Sequence, residues 1–155
     1  MWIPPEQKEP ILLHHPTRKS VGYFGAVNLR DGKMKFCREE GKFNAETFLN
    51  FLKQLLRYAW RINKKIVLVL DNARYHHAIL HLKWREKNKD FIELLFLPPY
   101  SPDLNPIERL WKLTRRLCIH NQYFSHLNEV VDAVEKQFQP WLKPNATVRK
   151  LCAIT

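Results

Sequence analysis

The sequence predicts an α/β domain that opens with a β-hairpin, in the order β-β-α-β-α-β-α-α. Three observations lead there. Two β-prone stretches flank an Asp31-Gly32 turn signal. Two unbroken apolar runs, KIVLVLD from Lys65 and FIELLFL from Phe91, enclose a helical segment, as in a βαβ unit. The remaining segments repeat apolar residues at helical spacing. With 155 residues, 45% hydrophobic and 26% charged, the chain can bury a single core.

The opening fifteen residues lack periodicity and carry three prolines, so an extended arm over residues 1–19 is expected. Ser20 to Leu29 reads as the first hairpin strand and Lys33 to Cys37 as the return, with Met34 and Phe36 alternating with charged residues. Asn44 is placed to cap a helix whose Phe48, Phe51, Leu52, Leu55, Leu56 and Ala59 share one face. The run ending at Asp71 has the pattern of a strand covered on both faces of a parallel sheet. His76 to Lys87 reads as the crossover helix, with Tyr75, Ile79 and Leu82 facing inward. After the second buried strand, a loop holding Pro98, Pro99, Pro102 and Pro106 leads to a helix from about Asn105 to Ile119. Its inner face carries Ile107, Leu110, Trp111, Thr114, Leu117 and Cys118. A last helix from about Leu127 to Gln139 buries Val130, Val131, Val134 and Phe138, and Pro140 ends it. Residues 20–119 form the core and residues 120–155 a C-terminal helical part.

Charge narrows the function. Lys and Arg number 26 against 15 Asp and Glu, a net charge of +11, which favours a polyanionic partner such as nucleic acid. No run approaches the ~20 apolar residues of a membrane helix, and the N-terminus has no signal-peptide pattern. Cys37, Cys118 and Cys152 are odd in number and scattered, which points to a reducing compartment and a cytoplasmic or nucleoid-associated protein.

Two acids stand out by position. Asp71 ends the first buried strand, and open α/β sheets bind ligands beyond the carboxyl ends of their strands. The same Asp71-Asn72 pair could simply start a turn. Glu108 stands 37 residues later, in the first turn of the helix after the next strand. There it could pair with Asn105 in a capping box, with Pro106 at the first helical position. Alternatively, the two carboxylates converge as oxygen ligands for a hard divalent cation.

The segments IVLVLDNARYH and LLFLPPYSPDLNPIERLWKLTRR resemble the catalytic domain of DDE transposases, in the mariner-like and related bacterial insertion-sequence branch. The resemblance extends over nearly the whole chain, from Trp2 through the hairpin strand VGYFGAVNLRDG. It implies a ribonuclease H-like fold with a mixed sheet and flanking helices, N-terminally truncated because the first catalytic strand is absent. Asp71 matches the family's second catalytic acid, Glu108 the third, and His76 the histidine after the Asp-Asn pair. No acid here matches the first; Asp31 lies in the hairpin turn. The implied chemistry is phosphodiester cleavage and strand transfer with Mg²⁺, or Mn²⁺ in its place, on DNA element ends and target. A chain with two of the three acids is expected to be inactive alone. The alternative is a non-catalytic remnant that binds DNA or a full-length transposase, or associates with itself. An unrelated small α/β interaction domain fits the motif poorly.

Other residues are secondary candidates. Tyr100 and Ser101, in the loop between the acids, and Lys112, Arg115 and Arg116, after Glu108, suit contact with DNA phosphates. His77 and His81 have metal-pair spacing, but a solvated helix face explains them better. Trp60, Trp84, Trp111 and Trp141 read as core or interface packing.

Overall fold

The computed structural model describes residues 13–14, 20–73 and 81–154. In chain order the elements are β1 (Leu13–His14), β2 (Ser20–Val27), β3 (Met34–Glu39), α1 (Ala45–Ile62), β4 (Ile66–Leu70), α2 (Leu82–Lys87), β5 (Ile92–Phe96), α3 (Ile107–Cys118), α4 (Leu127–Phe138) and α5 (Ala146–Leu151). The described strands make two sheets, an antiparallel β1-β2-β3 and a parallel β4-β5. The chain divides into two compact units, one within Lys42–Asn105, the other within Glu9–Gly41 and Pro106–Thr155.

The second unit packs the hairpin against the C-terminal helices. Strand β2 pairs with β3 from Gly22↔Glu39 to Val27↔Met34. Val21, Tyr23 and Met34 enter one core with Leu110, Trp111, Val134 and Phe138. Phe138 is its aromatic hub, with ring centroids 5.3 Å from Tyr23, 4.9 Å from Phe36, 6.3 Å from Trp111 and 5.9 Å from Trp141. Gly25 lets the hairpin approach the indole: a Cβ there would lie 2.3 Å from Cη2 of Trp111. The Tyr23 hydroxyl donates to Glu135 Oε1 at 3.1 Å, the same oxygen that pairs with Arg38. Burial, reinforced by the Glu135 carboxylate, pushes the Tyr23 phenol well up.

The hairpin connection is wider than the expected Asp31-Gly32 turn. The strands stop at Val27 and resume at Met34, and Asn28 N–H bonds Lys33 O while Gly32 N–H bonds Asn28 O, both at 2.8 Å. The reason is tertiary. Helix α5, which the sequence pattern did not predict, docks against this loop, with Asn145 N–H donating to Asp31 O at 2.8 Å. Gly32 has φ 76°, and a Cβ there would meet Asn145 O at 2.1 Å. In α3, Ile107, Leu110, Trp111, Thr114 and Cys118 are buried as expected. Leu117, also expected inward, is exposed, and Leu113 packs against the core instead.

The first unit is built on α1 and the parallel pair. Asn44 Oδ1 accepts from Thr47 N–H at 2.9 Å and Thr47 Oγ1 accepts from Asn44 N–H at 3.0 Å, a reciprocal cap. All six predicted apolar residues of α1 are buried, and Asn63 at φ 51° closes the helix. Strand β4 departs from the expectation of two covered faces. Leu68 and Leu70, with Ile92 and Leu94, are buried, but Val67, Val69 and Leu95 are 50%, 41% and 48% exposed. An unbroken apolar run satisfies strand propensity on both faces, yet the described elements cover only one. In α2, Leu82 points outward. His81 takes the inward place, fully buried, with Nε2 2.7 Å from Ala45 O and its ring 5.4 Å from Phe48. A solvated His81 is therefore excluded; its proposed mate His77, like Trp2, Tyr75, His76 and Ile79, lies outside the described residues. Trp111 and Trp141 are core residues, whereas Trp60 is 52% exposed and touches Phe91 edge-on.

Two outcomes follow from this packing. Gly25→Val should lower stability by about 1–3 kcal/mol in denaturant melts, because the indole of Trp111 cannot yield without disturbing Phe138; an unchanged midpoint would show the close approach to be tolerated. Alkaline pH should also destabilise the fold. Burial pushes the Cys152 thiol up to about 11, and the Tyr23 phenol is raised too. The folded state therefore holds these protons more tightly than the unfolded state. The thiol's stabilisation is complete below its ordinary pKa near 9 and is lost as pH rises towards 11, whereas the phenol's begins to fall only above its ordinary value of 10. A melting temperature that stays flat between those values would contradict it.

Candidate active site

Asp71 sits where the parallel ladder runs out. The register ends with Leu70↔Phe96, and Leu97 N–H still bonds Leu70 O at 2.7 Å. Asp71 and the proline-rich loop after Leu97 thus leave the same carboxyl end of the β4-β5 sheet. Asp71 Oδ1 accepts from Ala73 N–H at 3.0 Å, and the Asn72 amide donates to Leu97 O. These bonds fix the turn and hold Asp71, half-buried, at the strand end. The turn-forming role read from the sequence is real, and it also orients the carboxylate.

The loop is held by its own hydrogen bonds. Ser101 Oγ donates to Pro99 O at 3.3 Å, and Leu104 N–H bonds Ser101 O at 3.1 Å. Tyr100 has φ 59°, a left-handed conformation that is costly for an aromatic residue. Its side chain is 93% exposed, so the strain holds a ring out in solvent.

Glu108 lies in the first turn of α3, half-buried. The helix begins at Ile107 with Pro106 in the N-cap position and no side-chain capping bond, so the Asn105–Glu108 capping box does not form. The cause is the preceding turn: Asn105 N–H bonds Pro102 O at 3.0 Å, and Asn105 is buried as the end of a short 3₁₀ segment. Glu108 lies in the first turn of α3, near the positive end of the helix dipole. Lys112 and Arg115 follow at i+4 and i+7 on the Glu108 side, with Lys112 and Arg116 exposed.

The first turn of α3 is clamped by α5, a feature that no periodicity in the sequence signals. Arg109 Nη1 donates to Leu151 O at 3.2 Å and to Ala153 O at 2.8 Å, partners 42 and 44 residues away. The guanidinium thereby satisfies carbonyls at the end of α5. Cys152 Sγ contacts Pro106 O at 3.6 Å. Arg109→Met should cost about 1–3 kcal/mol, with α5 amides losing hydrogen-exchange protection before those of α4; unchanged α5 protection would show that Arg109 carries no load.

The two acids fall in different units, Asp71 with Tyr100 and Ser101 in one, Glu108 with Lys112, Arg115 and Arg116 in the other. Among the described residues, no three His, Cys, Asp or Glu side chains cluster as a metal site, and no helix is long and apolar enough to cross a membrane.

Comparison with known proteins places these features in a family. The chain is 38% identical over 65 residues to the uncharacterized protein y4pE/y4sA of Sinorhizobium fredii (strain NBRC 101917 / NGR234), covering 42% of this chain and 44% of that protein. It is 28% identical over 120 residues to the insertion element IS630 uncharacterized 39 kDa protein of Shigella sonnei, covering 77% of this chain and 34% of that one. The chain therefore spans less than half the length of these relatives. Its structure matches a chain in the crystal structure of the Mos1 strand transfer complex with a TM-score of 0.67 at 18% identity, over 98% of this chain and 44% of that chain. The fold is the ribonuclease H-like α/β fold that the motif implied. The family model for DDE superfamily endonucleases matches residues 1–131, a span that holds Asp71, the proline-rich loop and Glu108 alike, and the chain belongs to that superfamily.

Proposed function

We propose that the chain is part of a transposase catalytic domain that cleaves and joins DNA phosphodiesters, with Asp71 and Glu108 as two of its catalytic acids. The observation that carries the reading is at Glu108. The motif that aligns it with a family acid would also make it a helix cap, but α3 starts without a capping bond. The half-buried Glu108 carboxylate instead lies in the first turn of the helix, inside the family match, at the place the motif gives to an acid.

The donor set fits a hard divalent cation. Asp71 and Glu108 offer carboxylate oxygens, the ligands Mg²⁺ prefers and Mn²⁺ accepts. When bound, such a metal polarises the phosphodiester and lowers the pKa of an attacking water. The chain's own residues do the rest. The Asp71 carboxylate is aimed by its bond from Ala73 N–H. Lys112 and Arg115, on the Glu108 side of α3, are set to neutralise phosphate charge, while Tyr100 and Ser101 contact the backbone from the loop. His76 is assigned to the scissile phosphate by its place in the motif. A third acid completes the set in this family, and with only two the chain by itself is inactive.

The test joins the chain, in one protein, to an upstream segment bearing a strand-end Asp. That protein should nick supercoiled DNA with Mg²⁺ or Mn²⁺, whereas the chain alone should not. Asp71→Asn and Glu108→Gln, both nearly isosteric, should each reduce nicking by at least about 100-fold without lowering the melting temperature. Full activity in the Gln variant would remove Glu108 from the site.

A further inference from the structure

We infer that the solvent face of α1 is a further DNA-contact surface, a basic stripe that grips the phosphate backbone. The inference rests on the DNA reading above and adds a site to it. Lys53, Arg57 and Arg61 follow one another at i, i+4 and i+8 along α1, all exposed, and Lys64 continues the line just past its end. The opposite face carries Phe48, Phe51, Leu52, Leu55, Leu56 and Ala59 into the core, so the cations cannot turn inward. The helix has one acid, Glu46, in its first turn. Among the described residues, Lys53, Arg57 and Lys64 make no ion pair.

The arrangement is unfavourable for the helix itself. Like charges at i and i+4 repel, and acids are the usual neighbours that relieve a basic helix face. The macrodipole accounts for Arg61 in the last turn, and Arg61 also lies 5.4 Å over the Tyr58 ring. It does not account for Lys53 and Arg57, which stand further back along the helix. A polyanion would relieve the repulsion. Consecutive cations of the stripe are spaced by about 6 Å along the axis, and a DNA strand offers a phosphate about every 3.4 Å of its own axis. A row of exposed cations on a rigid helix can therefore face phosphates of one strand at intervals. Trp60, 52% exposed on the same side, adds an aromatic edge to the surface.

The test measures the salt dependence of DNA binding by the full chain, using fluorescence anisotropy of a labelled duplex of about 30 base pairs from about 50 to about 250 mM KCl. The wild-type chain should bind, with log K falling linearly with log salt. The triple variant Lys53→Gln/Arg57→Gln/Arg61→Gln should reduce the magnitude of that slope by about 2–3, near 0.9 per lost phosphate contact. Its melting temperature should be equal or higher, since like-charge repulsion is removed. The variant Lys53→Arg/Arg57→Lys/Arg61→Lys should keep the wild-type slope. A control that removes the same charge elsewhere, Lys83→Gln/Lys87→Gln/Lys143→Gln, should change the slope much less. An unchanged slope in the α1 variant, or an equal loss in the control, would overturn the stripe while leaving DNA binding intact. No binding by the wild-type chain at any salt would overturn the DNA reading itself.

Discussion

The parallel pairing of β4 with β5 is the constraint on which the site depends. Five residue pairs, from Ile66↔Ile92 to Leu70↔Phe96, hold two strands in register so that both end together. Parallel strands place their carboxyl ends side by side, so the acid after one strand and the loop after the other must emerge at the same edge. A slip of one residue would turn Leu68 and Leu70 out of the core and send Asp71 to the other face. The bonds of Leu97 N–H to Leu70 O and of the Asn72 amide to Leu97 O extend this register beyond the strands. They are what carries order from the sheet into the turn that holds the carboxylate.

Glu108 depends on a different set of contacts. Helix α3 is fixed by Trp111, which fits the space left by Gly25 and packs on Phe138. Its first turn is held by α5 through Arg109 and Cys152, and α5 in turn is docked on the hairpin loop through Asn145 and Gly32. Each link is specific: a glycine where a Cβ would clash, a guanidinium on carbonyls at a helix end, an asparagine that caps α5 and bonds Asp31. Together they orient the turn that carries Glu108 without using its side chain as a cap.

The basic excess acquires locations in the structure. Lys112 and Arg115 flank Glu108 on α3, while the α1 row stands on a separate unit with its apolar residues committed to the core. Electrostatic attraction to DNA is weakly directional, so net charge alone gives affinity without orientation. On the proposed DNA reading, rows of cations on rigid helices would supply the orientation, since the charges keep their spacing when a strand of phosphates approaches.

The sequence by itself determined the element order from β2 to α4, the apolar faces of α1 and α4, the cap at Asn44 and the family motif holding Asp71 and Glu108. All of these are written in local spacing: periods of 3.6 and 2, turn residues, and an unbroken run of motif residues. It misplaced what depends on neighbours distant in sequence. Local periodicity put Leu82 and Leu117 inward, but packing chose His81 and Leu113. The Asp-Gly signal promised a tight turn, but the docking of Asn145 decided a wider loop. The Asn105–Glu108 pair had the spacing of a capping box, yet Asn105 N–H bonds Pro102 O and the helix starts one residue later, with Pro106 in the N-cap position. Arg109 and α5 gave no signal at all, because a guanidinium reaching carbonyls 42 and 44 residues away leaves no period in the chain. Periodicity reports which face of an element is apolar; only the tertiary structure decides which neighbour meets that face, and so which polar groups are left to act.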